Sequence, residues 1–173
     1  MAKVNLKTVR NHLEQLTPEE VMTEIENLYR KYPVVQEHYQ SELADDTNPL
    51  LEQYKAKIRK AYFPKRGKGS RRNSQVRKLI SDYKKVAVFD YDIIDLLIYR
   101  FECGVEALNL KPVRQERHYQ ALLVTLREII ERIQSKGPLE PFRERLEAAG
   151  EEAPVEYGFY IEVRRLLDPL LGN

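Results

Sequence analysis

The stretch YQALLVTLREIIERI, from Tyr119 to Ile133, decides the fold. Tyr119, Leu122, Leu123, Leu126, Ile129, Ile130 and Ile133 recur at steps of three and four, so they share one stripe of a 3.6-residue helix. The Glu and Arg residues of 127–132 read as its exposed face, with pairing between residues four apart. Lys136-Gly137-Pro138 ends it, with glycine expected at the left-handed position and proline just beyond.

Working outward, the same grammar repeats. In Leu16-Thr17-Pro18-Glu19-Glu20-Val21, Thr17 is a predicted N-cap and Glu20 completes a capping box. Pro18 stands in the first turn, where a missing N–H is harmless. Val21, Ile25, Leu28, Tyr29 and Tyr32 mark one face of that helix, and Pro33 stops it. Asn48-Pro49 opens another helix with Leu50, Leu51, Tyr54, Ile58 and Tyr62 inside, closed by Pro64. Residues 64–73 read as a loop, after which Asn73 or Ser74 caps a helix facing inward through Val76, Leu79, Ile80 and Tyr83. Asp90 is expected to cap a long apolar helix reaching about Leu108. With few polar faces it is the predicted central helix, and Gly104 either permits close packing or marks its end. A short helix over roughly 139–149, an acidic loop at 150–155 and a last helix from about Tyr157 to Leu167 complete the chain. No stretch alternates with a period of two, and no Asn-Gly or Asp-Gly hairpin turn occurs. The expected fold is all-α: seven to nine helices in a bundle or short solenoid, with residues 1–173 as a single domain.

The 173 residues are 42% hydrophobic and 32% charged, a globular composition. A single cysteine excludes an internal disulfide and fits a reducing compartment. The most apolar stretch, Val86 to Val105, is broken by Asp90, Asp92, Asp95, Arg100 and Glu102, so no bilayer span is expected. The start, Met1-Ala2-Lys3-Val4-Asn5, lacks the pattern of a signal peptide. The expected location is cytoplasmic.

Charge is segregated. Between Lys55 and Lys85 lie thirteen Lys or Arg and one acidic residue, Asp82, although the whole chain holds 29 basic and 27 acidic residues. The other 142 residues therefore carry a net −10. Such a layout attracts anionic partners. Pro64-Lys65-Arg66-Gly67-Lys68-Gly69-Ser70-Arg71-Arg72-Asn73 feeds a helix N-terminus, where N–H groups and the helix dipole favour phosphate. The Gly-Lys-Gly-Ser string lacks the glycine spacing and the preceding strand of a phosphate-binding P-loop. The candidate binding residues are Lys65, Arg66, Lys68, Arg71, Arg72, Arg77 and Lys78, within a basic helix–loop–helix at 49–86. Lys55, Lys57, Arg59, Lys60, Lys84 and Lys85 extend its charge, and Tyr62, Phe63 and Tyr83 flank it. The expected partner is an anionic macromolecule: nucleic acid gripped by its phosphates without base readout, or an acidic protein docked on the same surface. A second copy is a further candidate, its Glu147, Glu151 and Glu152 meeting this basic segment head to tail.

Three runs in this region carry a family resemblance: Tyr54-Lys55-Ala56-Lys57-Ile58, Ala61-Tyr62-Phe63-Pro64, and Val76-Arg77-Lys78-Leu79-Ile80-Ser81-Asp82-Tyr83-Lys84-Lys85. The chain here resembles a family of small helical bacterial proteins catalogued as a domain of unknown function. The likeness covers residues 50–108 and implies a helical fold, with no activity to carry over.

Catalytic constellations are sparse. Asp90, Asp92 and Asp95 read as a cap and surface residues rather than a metal site, since hard cations need more oxygen ligands. His12, His38 and His118 have no zinc-ligand spacing, and Cys103 reads as a buried thiol. No enzyme activity and no cofactor are expected.

Overall fold

The structure is a computed structural model that describes residues 5–36, 39, 48–64 and 73–172. Its longer helices are α1 (Leu6–Leu13), α2 (Pro18–Lys31), α3 (Pro49–Tyr62), α4 (Asn73–Val86), α5 (Asp90–Leu110), α6 (Arg117–Lys136), α7 (Arg143–Glu151) and α8 (Phe159–Leu171). Short 3-10 turns at Glu140–Phe142 and Glu156–Gly158 lead into α7 and α8. There is no strand among the described residues.

Helix α5 is the axis of the bundle. Ile94, Leu97, Ile98 and Phe101 are wholly buried, because its apolar residues surround it instead of forming one stripe. Helices α3 to α8 share one continuous core around it. Lys55 meets Asp95 and Arg59 meets Glu106, so α3 runs parallel to α5. Arg132 meets Asp90 while Leu122 packs at Gly104, so α6 runs antiparallel. The close approach needs that glycine: a Cβ at position 104 would lie 2.3 Å from a Leu122 methyl. Helix α7 lies along α5 through Arg145, whose guanidinium bridges Asp95 and Glu102, each at 2.7 Å. Helix α8 turns back along α7, with Leu167 and Val163 packed on Gly150.

The predicted starts at Thr17 and Asn48 hold. Glu20 N–H donates to Thr17 Oγ1 while Thr17 N–H donates to the Glu20 carboxylate. Asn48 Oδ1 accepts from the N–H groups of Leu50 and Leu51. Four expectations change. Asp90 does not cap α5; it is the first helical residue, and its carboxylate pairs with Arg132 at 2.9 Å. A longer-range partner has replaced the local one. Gly137 is extended (φ −114°), not left-handed, because a residue before proline avoids compact backbone conformations. Its lack of a Cβ instead admits the Ile94 side chain, 2.6 Å from where that atom would stand. Asp92 and Arg100, read as polar interruptions, are both buried. The last helix starts and ends later than expected, at Phe159 and Leu171, after Tyr157 and Gly158 both take positive φ.

Helix α1 had no counterpart in the sequence reading, although Asn5 caps it by accepting from the Thr8 N–H. Neither α1 nor α2 buries a single residue. No helix among the described residues is long and apolar enough to cross a membrane.

Candidate functional site

The basic segment divides into three groups once its helices are placed. Lys65, Arg66, Lys68, Arg71 and Arg72 lie outside the described residues. Four others are engaged by carboxylates within the chain. Lys55 contacts Glu52 and Asp95, both at 2.9 Å, and Arg59 forks onto Glu106. Lys84 pairs with Glu128, and Lys85 with Asp82. Lys57 lies over the Tyr54 ring, 4.6 Å from its centroid. Lys60, Arg77 and Lys78 are exposed and have no carboxylate within 4.0 Å among the described residues. Two of the seven predicted site residues, Arg77 and Lys78, thus stand on described, solvent-facing helix.

The expectation that Lys84 and Lys85 extend the charge of Arg77 and Lys78 changes accordingly. Lys84 turns toward α6, where Glu128 also binds Arg132 at 3.0 Å. Burial alone would raise the Glu128 carboxyl; the Lys84 and Arg132 hydrogen bonds together outweigh it and hold it below the usual carboxylate range. Tyr62 and Tyr83 are buried, and Phe63 lies beneath the Arg59 guanidinium at 4.7 Å. The flanking aromatics therefore do not offer open faces for stacking bases.

The structure adds residues that the sequence reading missed. Asn73, the first residue of α4, donates from Nδ2 to His118 Nδ1 at 3.1 Å. His118 Nε2 lies 3.3 Å from Gln115 Oε1, so the pattern fits an imidazole protonated on Nε2. This contact docks the start of α4 against the start of α6. Both N-termini lie at the end of the bundle where α3 and α5 finish. The linker into α6 reads Lys111-Pro112-Val113-Arg114-Gln115-Glu116-Arg117-His118. Arg114 and Arg117 are exposed and, like Arg77, have no carboxylate within 4.0 Å among the described residues. Asn73, Arg77 and Lys84 follow one stripe of α4, and both ends of that stripe touch α6. Arg77 therefore stands at the α4–α6 seam. The signal was present in the run 111–118, three cations and a histidine against one glutamate, but only the fold brings it beside residue 73.

Carboxylates also stand at this end, where Asn109 near the end of α5 donates to the Glu152 carbonyl. Glu151 binds Arg164 at 2.8 Å, and Glu152 and Glu156 are exposed where α7 passes to α8. Tyr157 packs on Tyr119 there, with centroids 5.0 Å apart. Of the three carboxylates expected to meet a second copy, Glu151 is thus already paired within the chain.

No cluster of three or more His, Cys, Asp or Glu that could hold a metal ion occurs among the described residues. Cys103 is buried, and burial pushes its thiol up to about 11, far from an ionised nucleophile.

The class this defines is an all-α bundle wound about one buried helix. A family model of unknown function, DUF6155, matches residues 1–161, and the chain belongs to that family. The match reaches well past the 50–108 region on which the resemblance was first read and takes in α1 and α2. No curated protein and no solved structure matches the chain.

Proposed function

We propose that the protein binds the phosphate backbone of a nucleic acid, without reading its sequence, through the basic face at the α4–α6 end. The observation that carries this is the sorting of the cations. Four basic residues of the 55–85 segment are neutralised inside the chain, whereas Lys60, Arg77, Lys78, Arg114 and Arg117 have no carboxylate within 4.0 Å among the described residues. Two helix N-termini add partial positive charge there. The proposal also takes in Lys65, Arg66, Lys68, Arg71 and Arg72, which follow α3 and precede α4 in the sequence and lie outside the described residues. The burial of Tyr62 and Tyr83 favours phosphate contacts over base stacking.

Competition at low salt tests this reading. Duplex DNA, single-stranded RNA and polyphosphate are expected to compete for one site, in an order set by charge density rather than by sequence. Failure of all three to bind would contradict the proposal and return the surface to its rival, an acidic protein. The reading is of a non-enzymatic protein acting in the cytoplasm.

A further inference from the structure

Helix α2 carries a second feature, unrelated to the basic end. Val21, Ile25, Leu28 and Tyr32 are spaced by four, three and four residues, the a/d seam of a coiled coil. Helix α1 repeats this with Leu6, Val9, Leu13 and, just beyond its end, Leu16. A face of this kind forms to be covered, yet Ile25 is 39% exposed, Leu28 40% and Tyr32 42%. Among the described residues, nine of the sixteen large hydrophobic residues that stand exposed lie between Leu6 and Val34. That concentration exceeds the scattered apolar exposure normal for a soluble surface.

Charge on α2 says what covers the seam. Glu19, Glu20, Glu24 and Glu26 lie within its first nine residues, and Arg30 and Lys31 in its last turn. Glu20 is held in the capping box and Glu26 pairs with Arg30 on the outer face. Glu24 and Lys31 flank the seam at equivalent positions, seven residues apart. Met22 and Tyr29 flank its other edge, also seven apart and both apolar. A helix with opposite charges at its two ends is complementary to itself when reversed. Turned end for end, Ile25 faces Leu28 of a second helix, Val21 faces Tyr32, and Glu24 faces Lys31. A parallel pair would instead superimpose like charge on like.

We infer that the occupant is a second copy of this chain, with α2 packed antiparallel on its counterpart across a two-fold axis. The seam on α2 is only two heptads long, too short to hold alone. The α1 stripes of both copies complete it as a four-helix layer.

Light scattering and sedimentation on the full chain test this, beside far-UV circular dichroism and thermal melting. The wild type is expected to be a dimer that dissociates on dilution. Ile25→Glu with Leu28→Glu places charge in the centre of the seam and is expected to give a monomer whose main melting transition is unchanged, because α2 contributes no buried residue to the core. The charge pair gives a sharper test. Glu24→Lys or Lys31→Glu alone makes two like-charge contacts and is expected to weaken the dimer by about tenfold, and the double exchange to restore it. A monomeric wild type at high concentration would overturn the inference and leave the face to another segment or another protein. A dimer indifferent to all four variants would overturn it equally.

Discussion

At the scale of single residues, the polar atoms inside the bundle are the most exacting test. Asp92 is only 9% exposed and accepts from Asn48 Nδ2 at 2.8 Å. Asn48 also reaches the Tyr83 hydroxyl at 3.2 Å while capping α3, so one amide ties three helices together. Burial raises the Asp92 carboxyl above its usual range, more than the Asn48 bond and the Lys55 charge lower it. The folded chain therefore holds this proton more tightly than the unfolded chain. Its contribution is favourable at acidic pH and is lost as pH rises from the ordinary carboxylate value through the raised folded one. Asp92→Asn is expected to match the wild type in acid and to exceed it in stability at neutral pH, read from urea midpoints. A loss at neutral pH would mean that the ionised carboxylate is needed. Arg100 presents a related problem: a guanidinium 5% exposed, with one long bond of 3.5 Å from Nη2 to the Ala121 carbonyl and no partner for Nε among the described residues. A charge held this way stabilises little. Arg100→Met is expected to be neutral or stabilising by about 1 kcal/mol, and a loss beyond roughly 2 kcal/mol would reveal an essential contact.

At the scale of elements, the α5–α6 crossing depends on Gly104. Alanine there gains helix propensity, about 1 kcal/mol. It also drives a methyl into Leu122, which is itself 3% exposed and has little room to move. Overpacking of this kind costs about 1–3 kcal/mol, so Gly104→Ala is expected to lower stability. Combined with Leu122→Ala, the loss should be smaller than the sum of the two single losses, and a strictly additive pair of changes would argue against the close crossing. Elements were the most legible level of the sequence, because their signals are local. Thr17, Pro18 and Glu20 lie within four residues, and the Tyr119–Ile133 stripe needs only one helix to be seen. Asp90 was misread for the opposite reason. Its partner, Arg132, lies 42 residues away, and nothing in the spacing at position 90 records it. Gly137 was misread because two local rules compete, and the proline that follows it prevails.

At the scale of the whole molecule, the same distinction explains which part of the basic surface could be read. A run of thirteen cations is visible in any sequence. Which of them are neutralised is not, since Lys55, Arg59 and Lys84 find their carboxylates on helices 40 or more residues away. Nor could the sequence show that the start of α6 meets the start of α4, a contact made by Asn73 and His118. The family assignment fits this picture of an all-α chain and names no activity. The charge layout therefore supports the functional reading, and it does so in a form that salt can weigh. Each phosphate neutralised releases condensed counterions.

The salt dependence of binding to duplex DNA tests that reading most directly. With about six phosphates engaged, the slope of log affinity against log salt is expected near −5. Arg114→Ala with Arg117→Ala should weaken binding equally on unrelated sequences and make the slope shallower by about 2, without changing the melting temperature. Absence of binding at low salt, or a slope near zero that the double variant leaves unchanged, would contradict the account.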